Sequence, residues 1–192
     1  SKKSPKQDFL KIHGVGVQKA NSLVKDGFQS IQDLRENGQD KLNDVQRLGL
    51  QYYEDIQQRI PYKEIVQHEI YLKQVLQSVD DTAELTIAGS YRRKKSTSGD
   101  IDLLVKGKTK KTYEKFVAQL VQQGYLVCTL AHGSKKFMGM GILQGYKTNR
   151  RIDIMYTKPQ EYPFAIMYFT GSSEFNQRMR SEVLEKGLSL NE

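Results

Sequence analysis

Hydrophobic positions repeat at helical intervals up to Asp80 and at mostly strand-like intervals from there to Tyr156. The stretch Phe9-Leu10-Lys11-Ile12-His13-Gly14-Val15-Gly16-Val17-Gln18-Lys19-Ala20 predicts a helix, a Gly-x-Gly turn and a second helix. Ser30, with Asp33 three residues on, has the spacing of a cap for the next short helix. Asn43 is placed to start another, carrying Val45, Leu48, Tyr52 and Ile56 on one face and ended by Pro61. Across residues 62–79, Ile65, Val66, Leu72, Val75, Leu76 and Val79 form a stripe interrupted only by Glu69, which predicts a long amphipathic helix.

After Asp80-Asp81 the pattern favours strands at 85–88 and 101–105. A helix over 112–123 turns Tyr113, Phe116, Val117, Leu120 and Val121 inward and stops at Gly124. Strands at 125–130, 136–143 and 150–156 follow, then a helix over 159–169 that Thr170-Gly171-Ser172 breaks before helical character resumes over 173–186. The predicted class is α+β: a helical part at 1–61, a mixed sheet backed by helices at 62–158, and the start of a second helical part at 159–192.

Charge narrows the partners. The 192 residues carry a formal net charge of +8, and with 38% hydrophobic residues no apolar run reaches the ~18 needed to span a membrane. A basic chain without a basic amphipathic anchor favours nucleic acid over a membrane surface. Cys128 is the only cysteine, which excludes an internal disulfide and a cysteine-based zinc site and fits a reducing, intracellular compartment. It is expected to be a small buried strand residue. His13, His68 and His132 lack ligand spacing. The opening Ser-Lys-Lys-Ser-Pro-Lys has no apolar signal core, and the missing initiator Met suggests trimming.

The chemistry concentrates in Gly89-Ser90-Tyr91-Arg92-Arg93-Lys94-Lys95-Ser96-Thr97-Ser98-Gly99-Asp100-Ile101-Asp102. Two carboxylates one residue apart at the start of a strand share a face and repel unless a cation joins them. A divalent ion with oxygen ligands, such as Mg²⁺, meets that need. Ser90 and Arg93, beside a tight glycine turn with exposed amides, suit a polyphosphate. Asp153, inside Arg150-Arg151-Ile152-Asp153-Ile154, is a third acid that is expensive to bury unless paired or metal-bound.

These motifs, together with Tyr168-Phe169-Thr170-Gly171-Ser172, resemble the DNA polymerase beta-like X family of the nucleotidyltransferases, in family order from about Phe9 to Glu192. The resemblance implies fingers carrying a helix-hairpin-helix, a catalytic palm and the start of a thumb. It implies a DNA-directed DNA polymerase acting in short-gap repair. Asp100, Asp102 and Asp153 would hold two Mg²⁺ ions, with Mn²⁺ able to substitute. The deoxynucleoside triphosphate would meet Ser90, Arg93, Gly99, Arg59, Tyr168, Phe169, Gly171 and Asn176. Primer–template or gapped DNA would meet Gly14, Gly16, Lys136, Arg151 and Arg180. Backbone carbonyls of Leu10, Ile12 and Val15 would hold a monovalent cation, Na⁺ or K⁺, beside a DNA phosphate. The Gly171–Ser172 bond is expected to be cis. The family pattern further implies a monomer, in the nucleus if the source is eukaryotic.

Two departures from the pattern carry expectations. Nothing corresponds to the family's amino-terminal lyase domain, so no lyase activity is expected. The sequence stops at Glu192 where the family continues through its thumb, so closure on the nucleotide is expected to be impaired. A DNA-binding scaffold without catalysis, and a nucleotidyltransferase with a different acceptor, are the alternatives. Arg59 at a helix end and Lys136 at a strand end also fit plain solvated cations.

Overall fold

The computed structural model describes residues 3–171, 174, 176 and 177. These divide into two compact units, one ending at Gln58 and the other starting at Arg59. Among the described residues no helix is long and apolar enough to cross a membrane.

The first unit is helical: α1 (Lys6–Leu10), α2 (Val17–Lys25), α3 (Ile31–Asn37), a 3-10 turn (Gln39–Lys41), α4 (Asp44–Gln51) and α5 (Tyr53–Gln57). Phe9, Ile12, Val15, Ala20, Leu23, Leu34, Leu42 and Leu50 form its core. Gly14, at φ +89°, makes the hairpin turn between α1 and α2 in a conformation that other side chains resist. The turn is braced by α4, whose Gln46 Nε2 donates to the Gly14 carbonyl at 3.0 Å. Asn43 and Gln46 form a reciprocal capping box at the start of α4.

Here the helix expected after Asn43 differs. It breaks at Tyr52, and its buried face is Gln46, Gly49 and Leu50, with Val45 and Leu48 only half-buried. Close backbone approach is the cause, since a Cβ at Gly49 would collide with the His13 carbonyl. Pro61 ends nothing; it caps the following helix.

The second unit runs β1 (Ile60–Pro61), α6 (Tyr62–Val79), β2 (Glu84–Ile87), α7 (Gly89–Arg92), β3 (Thr97–Ser98), β4 (Ile101–Lys106), α8 (Lys110–Gln122), β5 (Leu126–His132), β6 (Lys136–Gly141), β7 (Arg150–Thr157) and α9 (Tyr162–Thr170). Five strands form one sheet in the order β2-β4-β7-β6-β5, with only β4 and β7 parallel. The fold is α+β with a mixed sheet. The small β1–β3 pair was not anticipated, because a two-residue strand has no period to detect.

Alternation along the strands separates two faces. Ile101, Leu103, Val105, Ile152, Ile154, Tyr156 and Phe137 point into a core shared with Ile65, Leu72, Val75 and Leu76 of α6 and Tyr113, Phe116, Val117 and Leu120 of α8. Burying each such aliphatic or aromatic side chain contributes ~1.5–3 kcal/mol. Val121, expected inward, is 49% exposed because the α8 stripe rotates away from the sheet in its last turn. On the opposite face, Leu104 and Met155 pack against Tyr162 and Ala165 of α9. Helix α9 therefore covers one end of that face.

A buried ionic network locks α6 to the sheet. Arg150, 6% exposed, gives Nε and Nη2 to the Glu64 carboxylate at 2.8 Å each. Glu64 Oε2 also lies 3.1 Å from His68 Nε2, and His68 Nδ1 is 2.7 Å from the Tyr125 hydroxyl. Burial alone would raise the Glu64 carboxyl, yet the hydrogen bonds from Arg150 and His68 hold it below its ordinary range. Burial lowers the His68 imidazole against the pull of Glu64.

Removing one partner of such a pair leaves the other charge buried and alone, at a cost of about 3–5 kcal/mol. Arg150→Met should lower unfolding free energy by about that amount in urea titrations at pH 7, and Glu64→Met/Arg150→Met should recover most of the loss. A single-variant cost under ~1 kcal/mol would contradict the assignment.

Candidate active site

Asp102 of β4 stands directly opposite Asp153 of β7 in the parallel register, and Asp100 lies two residues before Asp102, at the mouth of the same face. Carboxylate oxygens of all three lie within 4.8 Å of one another. The sequence-predicted triad is thus brought together by a strand register.

Among the described residues only Asp153 of the three has a paired cation: Arg151 Nη2 donates to Asp153 Oδ1 at 2.7 Å. Arg151 is itself 8% exposed and anchored through Nη1 to the Gly139 carbonyl at 2.8 Å. Burial first, then the neighbouring Asp100 and Asp153, push the Asp102 carboxyl up to about 7. Burial and Asp153 raise Asp100 as well, against the positive fields of Arg151 and Arg59. Lys136 on β6 contributes a smaller opposing field at Asp102. Three hard oxygen donors with more negative charge than their cations offset fit a divalent ion such as Mg²⁺.

The glycine-serine stretch forms the single helical turn α7 just past β2. Ala88 N donates to the Asp102 carbonyl at 2.8 Å, tying the turn to the acid-bearing strand. Gly89 has φ +66°, and a Cβ there would sit 2.9 Å from Asp102 Oδ2. Glycine is required twice over, by conformation and by the carboxylate beside it. Ser90 Oγ donates to Ser98 Oγ at 2.7 Å, a partner that the sequence did not reveal. Arg59 reaches the same edge, with Nε 3.2 Å from Thr97 Oγ1 and Nη2 3.3 Å from the Thr97 carbonyl, and it flanks Gly99.

Arg93 makes contacts that the sequence did not reveal. Its Nη1 donates to the carbonyls of Thr170 and Gly171, at 2.5 and 2.8 Å, and so ties the α7 turn to the end of α9. Tyr168 and Phe169 occupy that last turn, ring centroids 4.9 Å apart. Asn176 lies against Gly171. Ser172, Arg180 and the Gly171–Ser172 bond lie outside the described residues. Leu10, Ile12, Gly14, Val15 and Gly16 all fall on the hairpin of the first unit, where the Ile12 carbonyl accepts from Val15 N at 3.0 Å.

Glu64 and Arg150 were missed as a pair. Period two gives the signal in retrospect: Arg150 and Arg151 are adjacent, so one must face the acids and the other the helical layer.

A model of the DNA polymerase beta palm matches residues 59–159, the span holding all three acids. The chain belongs to the DNA polymerase beta palm family. Flanking this palm, the fingers domain of DNA polymerase lambda matches residues 7–57 and the DNA polymerase beta thumb matches 165–192. The chain is 32% identical to DNA polymerase lambda of Rattus norvegicus over 96% of its own length and 34% of the relative's. It is 31% identical to DNA polymerase lambda of Arabidopsis thaliana, covering 96% of this chain and 37% of that one. DNA nucleotidylexotransferase of Xenopus laevis is 27% identical over 93% and 43%. The chain therefore spans less than half the length of each of these relatives.

The raised Asp102 carboxyl has a definite consequence for the metal-free palm. The folded group binds its proton up to about pH 7, whereas an unfolded aspartate releases it near ~4, so this contribution to stability is full below about pH 4 and lost as pH rises to 7. In EDTA, Asp102→Asn should exceed the parent in stability by on the order of 2 kcal/mol at pH 8 and by little at pH 4. Urea melts at both pH values check this, and an equal effect at both would contradict it.

Proposed function

We propose that this chain is a DNA-directed DNA polymerase of the beta-like X family, filling short gaps during repair. The observation that carries the reading is the convergence of Asp100, Asp102 and Asp153 on one face of a DNA polymerase beta palm. In this reading residues 1–61 act as fingers, 62–158 as palm and 159–192 as the start of a thumb. The protein works as an intracellular monomer, nuclear in a eukaryote.

The reaction joins the primer 3′ oxygen to the α-phosphorus of a deoxynucleoside triphosphate and breaks the bond to the bridging oxygen of the β-phosphate, releasing pyrophosphate. Asp100, Asp102 and Asp153 would hold two Mg²⁺ ions (or Mn²⁺), which would supply Lewis-acid stabilisation of the developing charge. Asp153 takes up the proton of the 3′ hydroxyl, held in position by Arg151. Ser90, Arg93, Gly99 and Arg59 bind the leaving phosphates. Tyr168, Phe169 and Gly171 bound the sugar, and Asn176 reaches the base edge.

DNA is gripped without base contacts. Amides of Gly14 and Gly16 meet a primer phosphate, and carbonyls of Leu10, Ile12 and Val15 hold Na⁺ or K⁺ beside it. Lys136 meets a template phosphate, and Arg180 reaches the template minor groove.

Extension of a labelled primer at a single-nucleotide gap tests the reading. The parent should add the complementary deoxynucleotide with Mg²⁺. Asp153→Ala should slow addition by about a thousandfold or more, as loss of transition-state charge stabilisation implies, while DNA affinity stays within about threefold. No addition by the parent, with gapped DNA still bound, would favour a DNA-binding module. Addition indifferent to the template base would favour a different kind of nucleotidyltransferase.

A further inference from the structure

Arg93 offers more than a phosphate contact. Both bonds to the end of α9 leave through one nitrogen, Nη1, and its Nε and Nη2 hydrogens make no bond among the described residues. A guanidinium is a planar fork with five donors, so one edge can hold protein carbonyls while another faces an anion. The carbonyls it holds end a nine-residue helix, where the backbone concentrates partial negative charge.

That helix end leads to further polar atoms. Gly171 leaves no room for a Cβ because the Asn176 amide sits against it. Asn176 Oδ1 and Thr170 Oγ1 are both buried without a hydrogen-bond partner among the described residues. Buried polar atoms are normally paired, so two orphans at one helix end fit a partner that arrives with a ligand. A continuous path runs from the α7 turn through Arg93 to Gly171 and on to Asn176.

We infer that Arg93 is a positioning residue that couples phosphate occupancy at the α7 turn to the placement of the α9 end, and through Gly171 to Asn176. The inference rests on the nucleotide-site reading above. A polyphosphate engaging Nε and Nη2 draws the guanidinium toward the turn, and the Thr170 and Gly171 carbonyls follow on Nη1. Lysine keeps the charge but lacks the fork, so it serves the phosphate or the carbonyls and not both. The coupling is reciprocal, so fixing the helix end also tightens phosphate binding.

The chain contains no tryptophan, and Met167, 53% exposed and one turn before Gly171, can carry one as a reporter. Inorganic tripolyphosphate with Mg²⁺ is titrated into Met167→Trp and into Met167→Trp/Arg93→Lys, following heat for affinity and tryptophan emission for the helix end, with circular dichroism confirming the fold. The expected result is an emission change at saturation in the first protein that is absent in the second even when tripolyphosphate saturates it, with weaker binding in the second as reciprocity requires. A lysine variant that no longer binds tripolyphosphate at all would make Arg93 a phosphate ligand only and overturn the inference. An emission change retained with lysine would overturn it too. Failure of tripolyphosphate to bind Met167→Trp would reject the nucleotide-site reading itself, and the inference with it.

Discussion

The parallel register between β4 and β7 is the constraint on which the rest depends. Because Ile101 pairs with Ile152 and Asp102 with Asp153, the apolar residues of both strands enter the helical core as a set and the acids emerge as a set. A slip by one residue would bury the carboxylates among Phe116, Val117 and Leu120 and expose the isoleucines. The core therefore enforces the active face. Helices α6 and α8 need not touch the acids to place them.

What the register assembles is electrostatically unfavourable by itself. Three carboxylates share one face with, among the described residues, a single paired guanidinium, and burial makes their repulsion worse. The surrounding structure moderates this with Arg151 on Asp153 and with the more distant fields of Arg59 and Lys136, without cancelling it. The other face takes the opposite solution to buried charge: Arg150, Glu64 and His68 satisfy one another. One stretch of β7 thus carries a closed ionic network below the sheet and an open one above it. Uncompensated carboxylates of this kind suit a divalent ion with oxygen ligands.

Much of this was legible in the sequence because the signals were periodic or chemically costly. Two acids at spacing two and a third inside an isoleucine strand are hard to explain as structure, and the triad followed from them. The α6 and α8 stripes likewise gave the core, apart from the exposed Val121. Long-range pairings stayed hidden. Glu64 with Arg150, Ser90 with Ser98, and Gln46 with Gly14 join polar residues whose partners lie in other elements, and no local pattern marks them. Arg93 was expected at a phosphate; its added bond to the α9 end joins residues 78 apart in sequence, which no local spacing encodes.

The central claim is that the unbalanced charge of Asp100, Asp102 and Asp153 is resolved by a divalent ion. Titration of Mn²⁺ into the chain, read by the loss of the free-ion paramagnetic resonance signal, tests it most directly. The account predicts saturable binding that weakens at least tenfold, about 1.4 kcal/mol, in Asp102→Asn and as pH falls below 7. Binding of equal strength in parent and variant, or none in either, would contradict it.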